Sequence, residues 1–341
     1  MRRLNVALVG CGIISRVHIE GFRNNAQRAQ IVACCDSDTE RAQKAAEAIG
    51  ALSDADRPRV VTDYAALLTD PTVEAVDLCL PHHLHAEMAI AAARAGKHIL
   101  CEKPLALTPE DCDRMAAAAR EAGVTLMHGE NLRTAANIER AAEVIQEGRL
   151  GTLVGLQGTY AHWQSVTYNQ DWRTRPAESG GGHLIDGGIH FIDVMRHLGG
   201  EITAVQAMTT RFRPELGTQV EDTGILNFRY AGGHLGQLFA CHASRGRGAS
   251  PMLTVFGTEG CLSLEAFGGD RTLMLFPQGQ PPKVLMEARD WRDTFTREIG
   301  HFLDVVLDGA PLRATPEDAR ENLRVVLAAY ESAQTGREIT L

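Results

Sequence analysis

The sequence predicts an α/β domain built on a parallel sheet, followed by an α+β domain with a large, mostly antiparallel sheet. Three observations carry this. Over residues 1–130 short apolar runs alternate with helical patterns, the texture of βα units. Past that point strand-like runs follow one another with little helix between them. The chain's 341 residues also exceed what one hydrophobic core usually serves, so two domains are expected, 1–130 and 131–341.

In the first domain, residues 5–9, 31–35, 75–80, 98–101 and 125–128 are apolar and short enough for buried strands. Helical spacing fills 14–24, 39–49, 84–95 and 109–122, with a short piece near 65–68. Gly96 and Gly123 fall just past two of these helices, where a left-handed residue closes the last turn. Thr108-Pro109-Glu110-Asp111 starts another, with proline at the first helical position and acids in the first turn. A helix at 135–146 then leads to a strand at 154–163. After a helix at 186–198 come strands at 205–212, 223–230, 235–242, 252–256, 261–265 and 273–276. Ala231-Gly232-Gly233 supplies the turn chemistry of an antiparallel hairpin. Helices return at 295–307 and 316–334, with packing back on the first domain left open. A large sheet covered by helices on one face leaves the other needing a partner, which points to a homodimer or homotetramer.

Bulk properties narrow the function. A net charge of -9 with no Lys/Arg tract disfavours nucleic acid. The apolar run after Met1-Arg2-Arg3 stops at Gly10, unlike a secretory signal, and no stretch is long and apolar enough to span a bilayer. Eight cysteines lie scattered without metal-ligand spacing, as reduced thiols in a cytoplasmic protein would.

The first turn, Gly10-Cys11-Gly12-Ile13-Ile14-Ser15, joins a strand to a helix. Gly10 permits the tight bend, Gly12 lets a pyrophosphate approach the backbone, and the helix start supplies N–H groups. Ser15 stands where the dinucleotide fingerprint has its third small glycine. The second strand ends at Asp36, placed to accept from the adenosine ribose and to repel a 2′-phosphate. Asp38 adds to the repulsion while Ser37 and Arg41 soften it, so NAD is favoured over NADP. An exposed turn aspartate would look the same. Pro81-His82-His83-Leu84-His85 follows the third long strand; it lacks the rest of a zinc set, so no metal is expected. Leu80, Pro81 and His82 are assigned to the dinucleotide channel, and His85 to the same region or to packing of the next helix.

Cys101-Glu102-Lys103-Pro104 places an ammonium at another strand end, where open α/β sheets bind ligands. Pro104 restricts the backbone of Lys103, and an ammonium near an oxidised nicotinamide suits proton transfer. Glu102 reads as a structural partner of backbone or a nearby base. Downstream, Gly180-Gly181-Gly182-His183-Leu184-Ile185-Asp186-Gly187-Gly188-Ile189-His190 sets an acid and an imidazole four residues apart among glycines, at a helix start open to a ligand. Phe191, Val194 and Leu198 continue its apolar stripe. Lys103 and His190 are the two candidates for the base that takes an alcohol proton, with Asp186 orienting His190 or a substrate hydroxyl; a hydrogen-bonded core histidine is the competing account of His190. Between Tyr160 and Arg175 lie His162, Trp163, Tyr168, Asn169, Trp172 and Arg173, fit for the hydroxyls and C–H faces of a sugar, though rim aromatics would look alike.

Gly10–Ser15, Pro81–His85, Glu102-Lys103-Pro104, Trp172-Arg173 and Gly181–His190 extending to Asp193 together resemble the Gfo/Idh/MocA oxidoreductases, over essentially the whole chain. The resemblance implies an N-terminal Rossmann domain, catalysis by Lys103, Asp186 and His190, and a sugar, cyclitol or related polyol as substrate. Cofactor contacts are expected from Gly10, Gly12, Ile13, Ile14, Asp36, Ser37, Arg41, Leu80, Pro81, His82, His85, Glu102, Lys103, Asn131, Trp172 and Arg173. Substrate contacts are expected from Lys103, Asn131, His162, Trp163, Arg173, Asp186 and His190. Two other functions share the framework: an NAD-dependent glycosidase working through transient oxidation, and a noncatalytic NAD-responsive binding protein.

Overall fold

A computed structural model describes residues 2–50, 57–165, 171–216, 219–245, 251–264, 273–287 and 290–341. The chain divides into two compact units. Unit 1 comprises Met1–Thr134 and Arg292–Arg320; unit 2 comprises Ala135–Trp291 and Glu321–Leu341.

Unit 1 is built from β1 (Leu4–Val9), α1 (Ser15–Asn24), β2 (Ala29–Cys35), α2 (Thr39–Gly50), β3 (Arg59–Val61), α3 (Tyr64–Leu68), β4 (Ala75–Leu78), α4 (His85–Arg94), β5 (His98–Glu102), α5 (Pro109–Ala122) and β6 (Leu126–Gly129). The six strands run parallel in the order β3-β2-β1-β4-β5-β6, the doubly wound arrangement. Their interior residues, among them Val6, Leu8, Cys34, Val76 and Leu100, are almost wholly buried, as helices on both faces require. Thr108 caps α5 by accepting from the Asp111 N–H at 3.1 Å, and Gly123 closes it in the left-handed region. β3, too short and exposed to give an apolar run, escaped the sequence reading.

In unit 2, α6 (Ala136–Gln146), β7 (Leu153–Ala161) and α7 (Pro176–Ser179) lead to a π-helical turn at Leu184–Gly188 that continues as α8 (Ile189–Gly199). Then come β8 (Ile202–Thr210), β9 (Thr223–Tyr230), β10 (Leu235–Cys241), β11 (Leu253–Gly257), β12 (Gly260–Leu264), β13 (Leu273–Pro277) and β14 (Lys283–Met286). The chain next forms α9 (Asp293–Asp308), which belongs to unit 1, and α10 (Pro316–Thr335), and ends in β15 (Ile339–Thr340). The nine strands order as β14-β13-β12-β11-β7-β10-β9-β8-β15 and pair antiparallel except β7 with β10. Strict alternation along β9 buries Leu226 and Phe228 and exposes Ile225, Asn227 and Arg229. Phe191 and Met195 of α8 pack against the covered face at Gly158.

The expected strand at 154–163 ends at Ala161, and Trp163 keeps only an isolated bridge to Ala243. Residues 292–320, placed by sequence in the second domain, belong to unit 1 because Ile299, Phe302 and Leu303 of α9 complete its core beside Ile19 and Phe22 of α1. Arg28 fastens the same contact to Asp304 and Asp308. Among the described residues no helix is long and apolar enough to cross a membrane.

Candidate active site

At the carboxyl end of the parallel sheet, Gly10 takes φ +87°, and a Cβ there would lie 2.3 Å from the Cys79 carbonyl oxygen. Only glycine fits. Around Gly12 nothing lies within 4 Å of where a Cβ would be, so the turn leaves open space over the start of α1 that a side chain would fill. Ser15 Oγ donates to the Gly12 carbonyl at 2.8 Å, which shows how a buried serine serves in place of the third glycine. Asp36 tightens the turn: its Oδ2 accepts from the Cys11 N–H at 2.7 Å and its Oδ1 from the Asp38 N–H at 2.9 Å. Ile13 is 59% exposed beside it. A backbone cradle at a helix N-terminus, a strand-end carboxylate and an uncovered aliphatic side chain fit a dinucleotide.

The histidines after β4 do not converge on a metal. His85 is buried, with Nδ1 2.7 Å from the Pro104 carbonyl and Nε2 3.0 Å from the Leu80 carbonyl, so its ring is committed to the fold rather than to a cofactor. Burial holds its pKa below the usual range against these bonds. His82 is buried too, while Pro81 and Leu80 are half-buried.

Glu102 is likewise turned inward. Its Oε2 accepts from the Lys103 N–H at 3.1 Å, and its Oε1 lies 2.9 Å from His18 Nε2. The opposite nitrogen of His18 meets Asp77 at 2.9 Å. This explains why Glu102 is an internal partner of a base instead of a cofactor contact. The Lys103–Pro104 peptide is cis. Glu298 of α9 stands near this group, fully buried with neither carboxylate oxygen hydrogen-bonded, and burial drives its pKa well above the ordinary carboxylate range. Ligand atoms of His18, Asp77 and Cys79 lie within 4.8 Å of one another, but both His18 nitrogens are already held by carboxylates. Asn131 is buried, donating through Nδ2 to Thr294 Oγ1 at 2.6 Å.

In unit 2 the glycine-rich segment is occupied by protein. A Cβ on Gly182 would fall 1.9 Å from the Glu221 carbonyl oxygen, so this glycine admits the backbone just before β9 rather than a ligand. Glu221 caps the helix that follows, accepting from the N–H groups of Gly182 and Leu184 at 3.0 and 2.9 Å and from the Tyr330 hydroxyl at 3.0 Å. The π turn at Leu184–Gly188 carries Asp186, and His190 lies in the first turn of α8. Such turns recur at functional sites. Asp186 is 15% exposed and 3.8 Å from Arg173 Nε, whose guanidinium also lies 4.2 Å from the Trp172 ring centre. His190 is half-buried.

Of the residues between Tyr160 and Arg175, Tyr168 and Asn169 lie outside the described residues. His162 joins a cluster that sequence did not foresee, with His183 and His242 at ring separations of 5.3 and 6.5 Å and Tyr160 at 4.9 Å. Burial lowers the pKa of His162, and that of His242 to about 4, while the charge of Asp186 pulls both the other way. Trp163 carries the guanidiniums of Arg213 and Arg245 at 3.5 and 4.0 Å from its ring centre, so those groups, not a sugar, occupy its π surface. Asp193, the last residue of the downstream motif, is wholly buried and accepts from Asn322 at 2.6 Å. Asn322 in turn accepts from Arg196 at 2.7 Å, and Arg196 forks onto Glu201.

Comparison with known proteins agrees with this geometry. Residues 4–130 match the oxidoreductase family with an NAD-binding Rossmann fold, and residues 138–263 match the GFO/IDH/MocA C-terminal domain. Levoglucosan dehydrogenase of Pseudarthrobacter phenanthrenivorans is 30% identical over 87% of this chain and 81% of its own. D-apiose dehydrogenase of Paraburkholderia graminis is 29% identical over 100% and 90%. The solved structure of a levoglucosan dehydrogenase with NADH and levoglucosan superposes with a TM-score of 0.89 at 26% identity, covering 100% of this chain and 99% of that one. The cradle at Gly10–Ser15, the strand-end Lys103 and the matches over both halves show that this chain belongs to the Gfo/Idh/MocA family of NAD-binding oxidoreductases.

Proposed function

We propose that the protein oxidises a secondary alcohol carbon of a sugar, cyclitol or related polyol, with NAD preferred over NADP. The observation that carries this reading is the carboxyl end of the unit 1 sheet, where the glycine turn, Asp36 and Lys103 follow β1, β2 and β5 of one parallel sheet. The relatives' names point the same way, toward levoglucosan and D-apiose.

Gly10, Gly12 and the start of α1 would hold the pyrophosphate, and Asp36 the ribose hydroxyls. When bound, NAD supplies the hydride acceptor. Lys103 takes the hydroxyl proton of the substrate. Asp186 and His190 hold a substrate hydroxyl, with Arg173 steadying Asp186 and His162 adding a neutral imidazole. General-base help of this kind contributes about 10²–10⁴-fold.

Screening the purified protein with NAD against cyclitols, aldoses, anhydrosugars and glycosides tests the reading. NADH accumulation with a free polyol, lost about 10²–10⁴-fold in Lys103→Ala, is expected. Undiminished turnover by Lys103→Ala refutes the proton transfer, and aglycone release without net NADH assigns the protein to glycosidase chemistry instead.

The assembly is proposed to be a cytoplasmic homodimer or homotetramer joined through the open sheet face. Gln206, Asn227, Gln237 and Gln157 are cross-strand partners in one row over that face, between exposed Met208 and Ile225 on one side and Leu235 and Phe256 on the other. Amides both donate and accept, so the row can pair with a copy of itself.

A further inference from the structure

We propose that Asp77, His18 and Glu102 form a buried ionic bracket that positions Lys103 and ties it to the helix behind the nucleotide turn. The inference deepens the reading of Lys103 as proton acceptor and rests on it for its functional meaning.

The bracket crosses three elements. Asp77 lies on β4, Glu102 ends β5, and His18 sits one turn into α1, just after the Gly10–Ser15 bend. His18 and Asp77 are wholly buried and Glu102 is 6% exposed. Carboxylates only accept hydrogen bonds, so an imidazole held at 2.9 Å by one carboxylate on each ring nitrogen donates from both and is held as the cation. Charge-assisted bonds of this length are about twice as strong as neutral ones, and burial protects them from screening. The two oxygens of Glu102 are thereby divided: His18 fixes Oε1, which fixes the plane of the carboxyl and sets Oε2 to receive the Lys103 N–H at 3.1 Å. On the other side of the lysine, the Pro104 carbonyl is held by His85 at 2.7 Å. Lys103 is thus held at its own amide N–H and, one peptide beyond its carbonyl side, at the Pro104 carbonyl. Because His18 rides on α1, a shift of that helix reaches the lysine through a single carboxylate. His18 and Glu102 are positioning residues in this scheme, since they act through Lys103.

The chain has only four lysines, Lys44, Lys97, Lys103 and Lys283, so reductive ¹³C-methylation of the full-length protein gives a readable NMR spectrum, with Lys103→Arg assigning the signal of interest. The variants are His18→Leu, which cuts the bracket, and Glu102→Gln, which keeps an acceptor for the Lys103 N–H but removes the charge. Expected is a displacement of the Lys103 signal by more than its linewidth in both and further in His18→Leu, with the Lys44 and Lys283 signals unmoved. NADH affinity of Glu102→Gln should stay within about threefold of the parent. An unmoved Lys103 signal in folded variants overturns the proposal; if His18→Leu does not fold, Glu102→Gln decides alone. The NMR readout is independent of turnover, so failure of the bracket and failure of Lys103 as base remain separate results.

Discussion

Replacing Asp193 by alanine tests what holds α8, the helix that carries His190, in place. Asp193 is 0% exposed and meets Asn322, also 0% exposed, through a 2.6 Å charge-assisted bond. Loss of such a bond removes about 1.5–3 kcal/mol, and the stranded Asn322 amide adds about 1–3 kcal/mol of unmet desolvation. Arg196, 6% exposed, keeps its fork onto Glu201 but loses the neutralising carboxylate two bonds away. The total falls near the roughly 3–5 kcal/mol typical of breaking a buried polar pair. At about 2–4 °C per kcal/mol for a domain of this size, unit 2 should melt roughly 6–20 °C lower. Asp193→Asn, which still accepts from Asn322, should lose less than half of that. Differential scanning calorimetry of parent, both variants and Asn322→Ala with its Asp193→Ala double supplies the assay. A double variant that melts lower by the sum of the singles, or an Asp193→Ala within about 2 °C of the parent, refutes the argument that these residues form one network.

Gly10→Ala should abolish NADH binding measured by fluorescence titration, because the added Cβ meets the Cys79 carbonyl at 2.3 Å in a backbone that alanine avoids; parent-like affinity contradicts the turn's role. Gly21→Val should destabilise unit 1 by about 1–3 kcal/mol in urea titration, since its Cβ lies 2.5 Å from Ile299 Cδ1 and 3.1 Å from the Phe295 carbonyl of α9. His18, faced by Asp77, Glu102, Cys79 and Glu298, has a folded pKa raised well above 6.5 by Asp77 and Cys79 against the opposing effect of burial. Its stabilisation is therefore complete below about pH 6.5 and is lost as pH climbs through the folded value. Melting temperature against alkaline pH should fall more steeply in the parent than in His18→Gln, and equal slopes would remove the charged bracket from consideration.

What could be read from the sequence was local. The turn at Gly10–Ser15, the cap at Thr108 and the alternation along Thr223–Tyr230 depend on neighbours within a few residues, and each lies where spacing and side-chain chemistry put it. The bracket joins residues 18, 77 and 102, whose approach needs the sheet order, so nothing near any one of them announces it. The glycines at 181 and 182 were visible, but their reason, the carboxylate of Glu221 and the hydroxyl of Tyr330, lies far along the chain. Likewise the apolar stripe of Asp293–Asp308 showed that α9 buries a face without showing which core receives it. His183, inside the glycine-rich stretch, and His242 were given no role because single histidines in strand and helix patterns carry no spacing signal; only the fold gathers them around Tyr160 and His162.

The π turn at Leu184–Gly188 makes the spacing of Asp186 and His190 adjustable by length rather than by side-chain identity. A π turn amounts to one residue more than a regular α-helix accommodates. Deleting Gly187 would let the helix wind regularly through this segment. Asp186 and His190 would then stand three residues apart, still on one face of the helix but about 1.5 Å closer along its axis, although neither residue had changed. Within this scaffold, insertion or loss of a single codon is therefore a direct route to a new substrate geometry, one that point substitution of the acid or the imidazole does not offer.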